Sequence, residues 1–244
     1  MENTTDHLTG TSTLLRPDVA ADHILGSASA PVTIIEYGDF ESPSCGRAHV
    51  GLKILLGHFG DRVRFVFRHY PEIEIHPHAE RAAEAGEAAG AQGRFWPYYD
   101  VLFEHREYLS ERHLRQYAAQ VGVDLERYDN EMNDHLYRQR VQQHAMDGRN
   151  LGIRAMPTFF IDGILTDVSF GLRHLEDAVD HELRMIDSTR HRLLRTSVLQ
   201  YSCTPMSRKP HGKSLDFPMP MRLARLQNHW APRCPDQGKR LAFA

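Results

Sequence analysis

The residues best placed to do chemistry are Ser42-Pro43-Ser44-Cys45, which set a hydroxyl and a thiol three positions apart. Serine as an N-cap followed by proline at the first helical position is a helix-start signal, and the positive end of a helix favours a thiolate. Thiol-disulfide exchange within one motif needs a thiol that attacks and a second that resolves the mixed disulfide. Serine neither forms a disulfide nor ionises near neutral pH, so within this motif only Cys45 carries redox chemistry. Each residue has two readings. Ser42 caps the helix, a role compatible with donating the same hydroxyl to a bound thiolate. Cys45 is a small buried hydrophobe or a single thiolate activated by the helix end. His49 is expected to be solvated, with an orientation towards Cys45 as the alternative. His76-Pro77-His78 lacks companion ligands at zinc spacing, so it is read as structural and no metal site is expected.

The elements around this motif are legible from periodicity. Pro31 to Tyr37 is a short, mostly apolar and β-branched run of the kind that forms a central strand covered on both faces, with Glu36 as its odd member. Ala48, Leu52, Leu55, Leu56 and Phe59 then fall at helical spacing up to Gly60. Val63, Phe65 and Phe67 alternate with Arg64 and Arg68, predicting a second strand and hence a right-handed β-α-β unit. A helical region follows, with a small-residue face from Ala79 to Gly90, a bulky face at Phe95, Tyr99, Leu102 and Phe103, a break at Gly93, caps at Ser110 and Asp124, and a stop at Gly122. Strand character returns at Thr158 to Ile161, where Asp162-Gly163 is a two-residue hairpin turn leading to Ile164-Leu165, and Leu172, Leu175, Val179 and Ile186 form a closing helix.

Composition bounds the function. With 41% hydrophobic residues in 244, the chain can bury a proper core. Residues 187–244 hold eleven Lys/Arg against three Asp/Glu, so a segment of +8 follows a body of −11, and an acidic body makes nucleic acid an unlikely main partner. This segment is interrupted by Pro205, Pro210, Pro218, Pro220, Pro232 and Pro235 and is expected to be disordered. Met1 to Asp22 has no cationic start and no apolar run, no stretch is apolar enough to span a bilayer, and three cysteines (Cys45, Cys203, Cys234) make no even framework; a cytoplasmic protein without a membrane partner is expected.

Four segments carry a resemblance: Pro31 to Glu41, Arg64 to Pro71, Ala91 to Trp96, and Met156 to Gly163. In this order and spacing they are similar to the DsbA-like branch of the thioredoxin superfamily. The resemblance implies an α/β thioredoxin-like fold with an inserted helical domain. The domain would span residues 30–186 with the insert at about 76–151, after an extension over 1–29 and before the basic tail of 187–244. It implies thiol-disulfide oxidoreductase chemistry with Ser42 in the place of the nucleophilic cysteine, Cys45 in that of the resolving one, and Glu36 in that of a buried acid that relays protons. Pro157 matches the family's cis-proline, so that Pro43, Ser44, Met156 and Pro157 would meet the substrate. The implied partners are protein thiols or disulfides, with no cofactor. A sister branch, the kappa-class glutathione transferases and chromene-carboxylate isomerases, has a site similar to Ser-Pro-x-x, so glutathione as a co-substrate of Ser42 is an alternative, and a non-catalytic binding module is another.

Overall fold

A computed structural model of the protein describes residues 14–168 and 171–200. Its sheet contains five strands: β1 (His23–Leu25), β2 (Val32–Gly38), β3 (Val63–His69), β4 (Thr158–Ile161) and β5 (Ile164–Thr166), in the order β1-β3-β2-β4-β5. β2 is the centre. It runs parallel to β3 with Val32 opposite Val63, and antiparallel to β4 with Glu36 opposite Phe159. All seven of its residues are buried, as its mostly apolar, β-branched pattern predicts, and Glu36 is buried with them.

Helix α1 (Pro43–Phe59) crosses from β2 to β3, capped at Ser42 and ended at Gly60, whose φ of 52° suits glycine. The insert follows as α2 (Ala79–Gly90), α3 (Phe95–Glu104), α4 (Glu111–Gln120), α5 (Leu125–Asn133) and α6 (Arg138–Asn150). Gly93 and Gly122 break it at φ of 72° and 76°. Asp124 caps α5 by accepting from the Arg127 amide at 2.8 Å. Ser110 stands at the N-cap of α4, but its hydroxyl is paired with His113 Nδ1 at 2.9 Å instead of with the backbone. The hairpin turn between β4 and β5 has both central residues at positive φ, Asp162 at 47° and Gly163 at 85°, which the Asp-Gly dipeptide tolerates. Asp162 also accepts from the Thr33 amide at 2.9 Å, tying the turn to β2.

Two elements cross the boundaries read in the sequence. The extension assigned to residues 1–29 contains β1, which pairs antiparallel with β3 through His23 opposite Phe67. Three residues are too few to show a period, and the pairing is decided by the edge that β3 offers. The closing helix α7 (Arg173–Gln200) runs past the expected boundary at residue 186, so the beginning of the supposed tail is helical. The rest of the tail, with Cys203 and Cys234, lies outside the described residues.

Arg68, expected to alternate outward, is buried, and it is the reason the segment before β1 belongs to the domain. Its guanidinium donates to both carboxylate oxygens of Asp22 at 2.8 and 2.7 Å, to the Tyr37 hydroxyl at 3.0 Å and to the carbonyl oxygens of Arg16 and Leu14. A buried cation that loses its counter-charge is strongly destabilising. Asp22→Ala is therefore expected to lower unfolding free energy in urea by about 3–5 kcal/mol; a loss within the range of surface substitutions would show that Arg68 does not anchor this segment.

Candidate functional site at the start of α1

The end of β2 and the first turn of α1 are fixed by Asp39. Its carboxylate accepts from the Glu41 amide at 2.7 Å, the Glu72 amide at 2.8 Å and His76 Nδ1 at 2.8 Å. His78 pairs in the same manner with Glu41, through Nδ1 at 3.0 Å and its own amide at 2.7 Å. The His-Pro-His run thus holds the loop after β3 against the helix start.

Within the motif the four residues separate by depth. Ser42 is buried, and its hydroxyl accepts from the Cys45 amide at 3.5 Å. Pro43 is exposed and Ser44 half-buried, with the Ser44 hydroxyl accepting from Arg47 Nη2 at 3.0 Å. Cys45 has no exposed surface, and its Sγ accepts from the Asp39 amide at 3.4 Å. Burial, and then the nearby Glu36 carboxyl, push the Cys45 thiol well above its ordinary range, outweighing the Asp39 amide and the Ser42 hydroxyl, which favour the thiolate. At neutral pH Cys45 is a protonated thiol.

Glu36 lies wholly inside, and burial raises its carboxyl to about 8; the neighbouring Tyr99 hydroxyl offsets only part of this. Both Glu36 oxygens and the Tyr99 hydroxyl are sealed from solvent, and among the described residues Tyr99 is the one side chain that acts on the Glu36 carboxyl. His49 is neither solvated nor a cation beside the thiol. Its ring stacks on Phe103 with centroids 5.0 Å apart, its Nε2 lies 3.4 Å from Asp100, and burial lowers its pKa.

The peptide bond Met156-Pro157 is cis. Between it and the helix start runs an open groove of about 690 Å³, lined by Ser44, Arg47, Met156, Pro157, Thr158 and Leu172 among others. The structure therefore brings Ser44, Met156 and Pro157 together at the groove, while Ser42, Cys45 and Glu36 form a second layer below it and Pro43 is not part of its lining. Sequence reasoning missed Arg47, which helical spacing from Ser44 would have found, and Asp167, which lies on the loop beyond β5 and gives no local signal.

A mixed sheet with a parallel β-α-β unit, a helical insert and a cis-proline facing the start of the first helix defines a thioredoxin-like protein. A family model described as thioredoxin matches residues 18–181, and the chain belongs to that family. Among solved structures, a thioredoxin-like oxidoreductase from Silicibacter pomeroyi is 25% identical with a TM-score of 0.62, over 71% of this chain and 96% of that one. BdbD from Bacillus subtilis shares the fold at 20% identity and a TM-score of 0.63, over 69% of this chain and 96% of that one. Curated relatives include a protein of Salinispora arenicola named Na+/H+ antiporter NhaA 1, 40% identical over 163 residues; the match covers 66% of this chain and 25% of the relative. The chain thus spans about a quarter of the length of such relatives. Among the described residues of this protein, no helix is long and apolar enough to cross a membrane.

Two outcomes follow from the buried acid and thiol. Folded Glu36 takes up its proton at about 8 against an ordinary 4.5, so the native state holds the extra proton between those values and stability falls as pH rises through that window. The expected loss is on the order of 5 kcal/mol, and Glu36→Gln should flatten the slope of unfolding free energy against pH; an unchanged slope would show Glu36 to titrate normally. Cys45 should react slowly with iodoacetamide in the native state and quickly once unfolded, read by peptide mass spectrometry. Rapid native labelling would mean that the thiol is accessible and ionised.

Proposed function

We propose that the protein is a DsbA-like domain that holds extended protein segments in the groove between the start of α1 and Met156-Pro157, with thiol chemistry limited to a single thiol at Cys45. The observation that carries this reading is the complete burial of Cys45 beneath Ser42. The position the DsbA-like resemblance assigns to the attacking cysteine is filled by a helix-capping serine, and the remaining thiol is protonated and covered. Binding at such a groove needs none of this chemistry: backbone pairing beside the proline and the apolar walls at Met156 and Leu172 supply the contacts. Exchange with protein disulfides then requires opening of the first helical turn.

Glutathione as a co-substrate of Ser42 is less favoured, because the hydroxyl that would donate to its thiolate is buried and does not line the groove. That a domain of this kind makes up a quarter of proteins named Na+/H+ antiporters agrees with a binding module set beside another activity.

The test is dithiol-dependent insulin reduction. The protein should not accelerate it, and Ser42→Cys should gain activity together with a disulfide between residues 42 and 45, since the serine hydroxyl already lies against the first-turn amide. Turnover by the parent protein would refute the proposal, whereas a variant that stays reduced and inactive would refute the assignment of Ser42 to the attacking position.

A further inference from the structure

The groove between the start of α1 and Met156-Pro157 is unevenly lined. Met156, which is buried, and Leu165, which is 65% exposed, give it apolar surface. The Thr158 hydroxyl is already engaged, donating to the Ala155 carbonyl oxygen at 2.7 Å. The charged side chains of the lining are Arg47 on α1 and Asp167 on the loop beyond β5. A largely apolar groove takes its selectivity from the few polar groups placed in it.

Arg47 stands against the local electrostatics. It follows the first turn of α1, in which there is no acidic residue. The amino end of a helix carries partial positive charge, so a cation beside it is unfavourable and an anion is favourable. Arg47 Nη2 donates to the Ser44 hydroxyl at 3.0 Å, which holds the guanidinium towards the helix start, and among the described residues it has no carboxylate partner. The other charges around this turn are engaged. Arg106 lies over Gly46, where a Cβ would come within 2.7 Å of its Cδ, and pairs with Glu107 at 3.0 Å. Asp39 and Glu41 are paired with His76 and His78 at 2.8 and 3.0 Å. Arg47 therefore keeps most of its donors, and a planar fork that matches a carboxylate, for whatever enters the groove.

We propose that Arg47 makes the groove selective for extended protein segments that carry an acidic side chain, Asp or Glu, facing the start of α1. This rests on the reading that the groove holds extended segments, and it adds the class of segment held. Asp167 repels an acid at its own side of the groove, so the acidic side chain has its favourable place on the α1 side. Apolar side chains of the same segment are left to Met156 and Leu165.

The test is fluorescence anisotropy with the full chain and labelled decapeptides, rich in serine and threonine, in which two leucines flank a central Glu, Gln or Lys. The Glu peptide should bind about fivefold more tightly than the Gln peptide, and the Lys peptide more weakly than either. In about 1 M salt, where the screening length is about 3 Å, the affinities should converge. Arg47→Gln should erase the preference while leaving the affinity for the Gln peptide unchanged, and Arg47→Glu should turn the preference to Lys. Arg106→Gln removes a cation outside the groove lining and should keep the preference. Equal binding of the peptides by the parent chain, a preference that survives Arg47→Gln, or its loss in Arg106→Gln would overturn the proposal and leave the groove reading standing. Failure of every peptide to bind would refute the groove reading, and the selectivity with it.

Discussion

The geometry of the site depends on the satisfied carboxylate of Asp39. It stands at the junction of β2 and α1, accepts two backbone amides and one imidazole, and offers its own amide to the Cys45 sulfur. A buried carboxylate with that many donors is favourable where a lone one would be costly. Because the donors come from the loop after β3 and from the turn into α1, one side chain fixes both the entry of the helix and the loop that approaches it. Ser42 and Cys45 take their depth from that entry.

Below it lies a different kind of burial. Glu36, Tyr99 and Cys45 are three ionisable groups buried together with no cation among the groups that shift them; burial raises the proton affinity of all three, and the Glu36 carboxyl raises that of Tyr99 and Cys45 further. All three therefore stay neutral at physiological pH. A neutral acid beneath a neutral thiol is a poor engine for disulfide exchange and a compatible floor for a peptide groove, which is why depth, more than residue type, carries the functional reading.

Much of the fold was legible because its signals are local. The β-branched run of β2, the Ser-Pro start and Gly60 stop of α1, the glycine breaks of the insert and the Asp-Gly turn each rest on the backbone preferences of a few residues. Where the reading failed, a long-range partner decided. Arg68 looked like an outward strand position until Asp22, distant in sequence, supplied its counter-charge. His49 looked like a surface residue until Phe103 and Asp100 on α3 covered it. Glu84 and Glu87, on a helix that reads as a plain alanine-rich packing face, are buried with Arg81 and His135 in one case and with His23 and His69 in the other.

The sequence by itself determined that the motif at 42–45 carries one thiol, since covalent chemistry depends on residue type alone. It also determined that this thiol sits one turn inside a capped helix beside a strand holding a lone glutamate. Only the tertiary structure decided that the thiol is sealed and protonated, that the groove is lined by Ser44 and Pro157 while Ser42 lies beneath, and that two histidines and a glutamate from three separate elements meet. Exposure, proton affinity and convergence are properties of what packs around a residue, and those neighbours are brought together by folding and are not written in the local spacing.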